Sequence, residues 1–373
     1  MIDYNKYSDY RSDFFPVRHR RKDLFSMNIR VSSEYRGKIR DIRSYDARLG
    51  GYILSQKDYV ELVAEAHAVN VHWSTKIEGN KLSLDEVRKS SREIMSSSTR
   101  IAHNPGPYQE IVNHLYSYFM DDMLALPWDL STVASIHGIL MKDTGEECTP
   151  GSIREEEEMQ VTDGKGTTIF IACPASHVRD ELQELLDWMD DSPYDPMITA
   201  ILFFYQFESI HPFTEGNGRT GRTLFHILMQ EMGFKRFNLC KLEDKLLGNS
   251  AVYYSLLEYT GEKQDYTPLA EFFIDCIEEA YREAVREFSE KDLLKDMDDD
   301  SRNIAMKARG TGDWFSVGDA KAWINGLSEQ SVRSRLASMV EKGVLEKEGH
   351  TRSTRFRFID PFRTLKGIVR ELP

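Results

Sequence analysis

Residues 211–222 read His-Pro-Phe-Thr-Glu-Gly-Asn-Gly-Arg-Thr-Gly-Arg, and these residue types at this spacing suit the handling of a phosphorylated substrate. Pro212 ends a preceding helix, and Gly216-Asn217-Gly218 permits a tight loop whose backbone N–H groups stay open. A helix is then expected from about Arg219 through residues 224–232. Where a glycine loop opens a helix, unpaired N–H groups and the positive end of the helix dipole point the same way, which makes an anion site. Arg219 and Arg222 add two cations within one helical turn, suited to polyphosphate oxygens. Glu215 supplies a hard carboxylate that suits Mg2+ shared with phosphates. His211, at the start of the loop, is placed to take a proton as a general base.

Helices must carry this loop, because helical periodicity dominates the chain. Val60, Val63, Ala64, His67, Ala68 and Val71 recur at spacings of three and four, as do Ile198, Ile201, Leu202 and Tyr205, and then Leu224, Ile227, Leu228 and Met232. Strand-like pattern is sparse. Residues 159–171 predict a hairpin around a turn at Asp163-Gly164-Lys165-Gly166, and Arg355-Phe356-Arg357-Phe358 alternates polar with apolar. No repeat of 20–50 residues is apparent, which argues against a solenoid.

The chain has 373 residues, 40% apolar and 29% charged, a profile that excludes dominant disorder, collagen and coiled-coil rods. The longest apolar run, residues 197–207, is too short to span a bilayer, so no membrane partner is expected. The N-terminus shows no apolar stretch of the secretory kind, and four cysteines lie scattered without CxxC spacing. These features predict a reduced, cytoplasmic protein. Charge is divided unevenly. Residues 302–373 hold 14 Lys+Arg against 8 Asp+Glu, which leaves 34 against 53 in residues 1–301. An acidic body and a basic tail predict two modules with different partners, and an acidic body favours a basic target.

The 211–222 segment resembles the Fic family signature, HPFx[D/E]GNGRxxR, at all nine specified positions. The resemblance implies a mainly α core that transfers part of a nucleotide, usually AMP from ATP, onto a Ser, Thr or Tyr hydroxyl of a target protein. It implies that His211 removes the hydroxyl proton and that Glu215 holds Mg2+ bridging the α- and β-phosphates. The loop backbone at Phe213, Thr214, Gly216 and Gly218, with Asn217, would cradle phosphates, while Arg219 and Arg222 bind the β/γ end. Pro150-Gly151-Ser152-Ile153-Arg154 resembles the PGxxR before the family's target-docking flap, where a target segment would be held by strand addition. The glutamates at 155–158 would bias target choice. Asn249-Ser250-Ala251-Val252-Tyr253-Tyr254 resembles the segment that closes over adenine, which points to Tyr253 and Tyr254. Ser74-Thr75-Lys76-Ile77-Glu78-Gly79-Asn80 resembles the inhibitory helix motif [S/T]xxxE[G/N], in which Glu78 would pair with Arg222 and hold it from the γ-phosphate. The resemblance covers roughly residues 70–280.

From Trp314 the chain reads helix, turn, helix, hairpin. Ser328 is a helix N-cap, Val332, Leu336, Met339 and Val340 share one face, and Arg333, Arg335 and Lys342 lie on others. Val344-Leu345 and residues 356–358 would be strands about a turn near Gly349. This looks like a winged helix with residues 328–342 in the recognition position, used for DNA or for protein contact and dimerisation. The expected organisation is therefore a helical region carrying the inhibitory motif (1–125), a Fic core with a β-hairpin flap (126–288), a linker (289–301) and a winged helix-turn-helix domain (302–373). The expected function is protein adenylylation inhibited by Glu78. The same fold running AMP removal, phosphoryl or phosphocholine transfer is one alternative, and a nucleotide-sensing DNA-binding regulator is another. A homodimer is common in the family.

Overall fold

The computed structural model describes residues 2–13, 16–20, 27–96, 104–118, 127–162, 168–350 and 353–360. The 163–166 turn and residues 361–373 of the C-terminal module lie outside them. Helices dominate the described residues, as the periodicity predicts. They run in the order α1 (Ser33–Gly51), α2 (Gln56–Lys76), α3 (Leu84–Ser96), α4 (Pro107–Ser117), α5 (Leu130–Met141), α6 (Ala175–Asp190), α7 (Pro196–Ile210) and α8 (Asn217–Glu231). Then follow α9 (Glu243–Leu247), α10 (Ser250–Lys263), α11 (Thr267–Lys291), α12 (Asp299–Thr311), α13 (Val317–Trp323) and α14 (Glu329–Glu341).

At the centre is α7, started by Asp195, whose side chain accepts from the Met197 N–H, and by Pro196 in the first turn, where a missing N–H costs nothing. Nearly every side chain along it is buried, so hydrophobicity all round, and not one stripe, marks it as the core helix. It stops at His211, whose backbone turns left-handed at φ +54° while its N–H still reaches the Phe207 carbonyl. Pro212 then offers no N–H to extend the helix. The next helix, α8, opens at Asn217, two residues earlier than the spacing suggests, behind Gly216 at φ +77°. A Cβ at Gly216 would collide with the Met141 side chain, so both shape and space demand glycine there.

Helices α1 and α2 share one hydrophobic core with α7, α8 and α11, so the boundary expected at 125/126 does not separate two cores. The hairpin at 159–171 is present as β2 (Gln160–Thr162) and β3 (Thr168–Ile171), antiparallel, with Val161 opposite Phe170. A two-residue strand, β1 (Val17–Arg18), pairs parallel to β3 on its other edge and completes a three-stranded sheet. Two residues carry no periodicity, which is why the sequence does not reveal it.

A second core holds Ile304, Phe315, Leu336, Met339, Leu345 and Phe356, which join α12, α13, α14 and a hairpin of β4 (Leu345–Glu348) and β5 (Arg355–Phe358). The stretch expected as a linker is not loose chain. Residues 289–291 finish α11 and 299–301 begin α12. The turn between them is anchored where Leu293 N–H donates to the Ile53 carbonyl at 2.8 Å and Asp292 accepts from the Ile53 and Leu294 amides. Ile53 itself joins the second core, so the body grips the C-terminal module by backbone hydrogen bonds and apolar burial.

Candidate active site

The turn from α7 into α8 presents His211 beside the N-terminus of α8. The His211 Nδ1 donates to the Glu208 carbonyl at 3.2 Å, which leaves Nε2 with its lone pair. Burial pushes the imidazole pKa down to about 4, and the neighbouring Arg154 charge acts in the same direction against the Glu208 carbonyl bond and the Glu78 carboxylate. At neutral pH the ring is therefore uncharged and can accept a proton at Nε2.

Arg154, in the PGxxR segment, holds the loop's shape. Its Nε donates to the His211 carbonyl at 2.7 Å, one Nη to the Glu156 carbonyl at 2.6 Å, and the other to the Ile210 and Cys173 carbonyls. Its backbone N–H bonds the Pro212 carbonyl at 3.0 Å. A guanidinium bound to carbonyls on both sides ties the flap's base to the left-handed histidine. On the other side of the loop, His137 of α5 stacks on Phe213 with centroids 3.7 Å apart and planes 3° apart. Gly151 N–H donates to its Nδ1 at 2.9 Å, so its Nε2–H donates to the Glu215 carbonyl at 3.0 Å. Phe213 is thus buried support. Asn217 also faces inward: Phe213 N–H donates to its Oδ1 at 2.8 Å and its Nδ2 donates to the Phe213 carbonyl at 2.7 Å. Both ends of this amide hold the loop, so Asn217 shapes the cradle in this structure and does not line it, contrary to expectation.

Glu215 is exposed, and its carboxyl pKa is raised by partial burial and by nearby Glu146. An exposed carboxylate oxygen beside the α8 N-terminus fits a hard divalent cation such as Mg2+. Thr214 bonds Glu156 of the flap at 3.3 Å.

The arginines are both occupied. Arg222 donates from Nε to the Ser74 hydroxyl, and from Nη2 to the Ser74 carbonyl and to Glu78 Oε1, each at 2.8 Å. The Glu78 carboxylate lies over Gly218, where an added Cβ would overlap its Oε1 and come within 2.8 Å of an Arg222 nitrogen. Glu78 therefore sits where the N-terminus of α8 favours an anion. Although burial alone pushes its pKa up, Arg222 and Arg219 bring it net below the usual value. Arg219 is held by scaffold carboxylates: Nη1 donates to Glu110 at 2.8 Å and both Nη groups to Glu146, at 2.5 and 2.7 Å. Asn80 bonds the other Glu110 oxygen at 2.7 Å, so the 74–80 segment touches the partners of both arginines. An open cleft of about 1010 Å³ above the loop is lined by Glu78, Asn80, Glu110, Glu146, Glu147 and Glu215.

Tyr253 and Tyr254 stand on α10 with rings 5.3 Å apart, Tyr253 buried and Tyr254 half-buried. Burial first, and then the Glu208 and Glu78 charges, raise the Tyr253 hydroxyl's pKa, which brings this pair to the Arg222 side of the site. Sequence reasoning missed His137, Glu110 and Glu146, because a lone histidine or glutamate on a helix carries no signal. Arg154 had one, its place in PGxxR, without a stated role.

The Fic/DOC family model matches residues 127–229. These residues are a Fic domain. Among curated relatives, protein adenylyltransferase fic-1 of Caenorhabditis elegans is 27% identical over 180 residues, which cover 46% of this chain and 34% of that protein. Protein adenylyltransferase Fic of Nematostella vectensis is 24% identical over 223 residues, covering 58% of this chain and 48% of that protein. The chain thus spans between about a third and a half of these relatives. Among solved structures, a Fic family protein from Desulfovibrio desulfuricans G20 superposes with a TM-score of 0.59 at 22% identity, over 90% of this chain and 98% of that one. That likeness extends the shared fold beyond the matched domain. No helix among the described residues is long and apolar enough to cross a membrane.

Proposed function

We propose that this chain is a protein adenylyltransferase, with ATP as donor and a Ser, Thr or Tyr hydroxyl of a target protein as acceptor. The observation that carries the reading is His211: a neutral imidazole with its Nδ1 fixed and its Nε2 lone pair open, beside an anion-binding helix terminus. The acceptor hydroxyl gives its proton to His211 Nε2 as its oxygen bonds the α-phosphorus, the bond from that phosphorus to the β-bridging oxygen breaks, and pyrophosphate leaves. Positioning and charge stabilisation supply most of the acceleration in such a transfer. Glu215 would hold Mg2+, which when bound offsets phosphate charge. Arg222 would take the γ-phosphate once Glu78 withdraws, Tyr253 and Tyr254 would flank the base, and the flap would hold the target strand. Glu78 is then the inhibitory group, since it occupies the arginine and the helix terminus together.

The 299–358 region has the helix order and hairpin of a winged helix, and we read it as a protein-contact module, through which a homodimer would form. Arg333 and Arg335 of α14 pair with Glu329 and Asp298 in exposed ion pairs that a phosphate could exchange, so DNA binding is the alternative. We assign the protein to the cytoplasm on its reduced, scattered cysteines. The test is intact-mass spectrometry of the Glu78→Gly protein incubated with ATP and Mg2+. An AMP adduct supports adenylylation. A phosphate adduct, or no adduct from a folded, ATP-binding protein, refutes it in favour of phosphoryl transfer, AMP removal or nucleotide sensing.

A further inference from the structure

At the root of the flap, three side chains from three segments converge. His19 follows β1, Cys173 lies just past β3, and Glu181 stands on α6. Their ligand atoms all lie within 4.8 Å of one another. The His19 and Glu181 side chains are only 3% and 6% exposed, and Cys173 is fully buried. His19 Nε2 is 2.7 Å from a Glu181 oxygen, and its Nδ1 is 2.8 Å from the Ser209 hydroxyl.

We propose that His19, Cys173 and Glu181 form a binding site for a single divalent metal of the zinc class, distinct from the Glu215 position. The donor set decides the class. A thiolate and an imidazole select a borderline-soft ion and disfavour Mg2+ and Ca2+, which take oxygen. Charge decides the valence. The Cys173 thiolate and the Glu181 carboxylate neutralise a dication, so the loaded site carries no net charge into a buried place, where an uncompensated charge is costly.

Size fits as well. Bonds of roughly 2.0–2.3 Å to nitrogen, oxygen and sulfur place tetrahedral ligands about 3.2–3.8 Å apart. The His19–Glu181 pair must therefore open by about half an ångström and the thiol close in by less than about 1.5 Å. Ser209 supplies the outer contact that ligating histidines use, with its hydroxyl oxygen accepting from Nδ1–H to fix the ring and its tautomer. Protons balance: the thiol proton leaves to solvent, and the imidazole proton moves from Nε2 to Nδ1. A water would complete the fourth position.

Such an ion would pin β1, the flap strand β3 and α6 at one point. Arg154 carries that point to the active-site loop, because it bonds the carbonyls of both Cys173 and His211. The site's role is to clamp the flap's root, and it does not depend on which transfer His211 performs.

The test uses the full chain, stripped with chelator and titrated with Co2+ and then with Zn2+. One Co2+ per chain, with a thiolate-to-cobalt absorption band displaced by Zn2+ and a raised melting temperature in Zn2+, is the expected result. Cys173→Ser should abolish the thiolate band, and His19→Gln should weaken binding at least tenfold while circular dichroism stays that of the parent. Should His19→Gln not fold, the Cys173→Ser spectrum and the parent's stoichiometry still decide. A folded parent that binds less than a tenth of an equivalent, or that binds equally after Cys173→Ser, overturns the site and leaves a buried His–Glu hydrogen bond.

Discussion

The two ends of the 211–222 loop are prepared differently. At the histidine end the imidazole is open. Arg154, His137 and Asn217 bond the backbone on every side, and His211 keeps a free nitrogen. At the arginine end every guanidinium is taken. Arg222 is closed by Ser74 and Glu78, and Arg219 by Glu110 and Glu146. The difference teaches where control can act on a rigid site. An imidazole whose loop is held by backbone bonds has nothing to switch, whereas a charge clamp can be switched by exchanging one anion for another. The arginines differ from each other too. Arg219 is gripped by residues of α4 and the loop before the flap, while Glu78, a third exposed, sits just past the end of α2.

The largest effect is expected at the open end. Positioned proton removal contributes about 10²–10⁴ in rate. His211→Ala should therefore lower transfer by that factor while melting temperature and ATP affinity stay near parent values. A variant labelling at parent rate would falsify the role assigned to His211.

Arg219→Ala comes next, and it should act on stability. It leaves Glu110 buried against Glu146 without its cation, and breaking a buried pair typically costs about 3–5 kcal/mol. Urea unfolding should show a loss of that order. If stability holds while calorimetry shows a lost ATP phosphate contact, Arg219 is a ligand for nucleotide and the contrast between the arginines collapses.

Glu78→Gly should raise self-labelling by about 5–150-fold, the range of a coupling of 1–3 kcal/mol, and adding His211→Ala should silence it again. Equal labelling of parent and variant, both folded and binding ATP, would return Glu78 to an ordinary surface carboxylate.

The smallest effect concerns pH. With its pKa pushed down to about 4, His211 stays neutral well below the 6.5 of a free imidazole, so the base limb of the activated variant's rate should stay flat from pH 8 to about 5 and fall only toward 4. The same depression in His211 and His137 makes protonation oppose folding. Their contribution to stability is complete above about pH 6.5 and is lost as pH falls through about 4. A rate that halves near pH 6.5 would show that His211 is more hydrated than the geometry indicates.

Much of this was legible in the chain. Fixed spacing marks His211, Glu215 and the arginines, since a loop that must turn in so few residues carries its glycines and proline in order. Val63, Ala68 and Val71 mark α2 by their helical period, although burial there runs nearly all round from Val63 to Thr75. Short spacing also gives away the Ser74–Glu78 motif, and the family resemblance names the partner, Arg222, that Glu78 meets at 2.8 Å. Sequence could not supply the groups that hold the site. Glu110 lies 109 residues from the arginine it grips, and His137 lies 78 from the carbonyl it bonds. A two-residue strand and an anchored turn at 292–298 have no period to read.

By itself the sequence determined the loop, its charges and the helices that bear it, because backbone preference and burial period act between near neighbours. Tertiary structure alone decided which charges meet beyond the Glu78–Arg222 pair, above all Glu110 and Glu146 on Arg219. It turned Asn217 inward, closed both arginines and left the His211 Nε2 open, since a side chain's partner depends on what packing brings within hydrogen-bond reach.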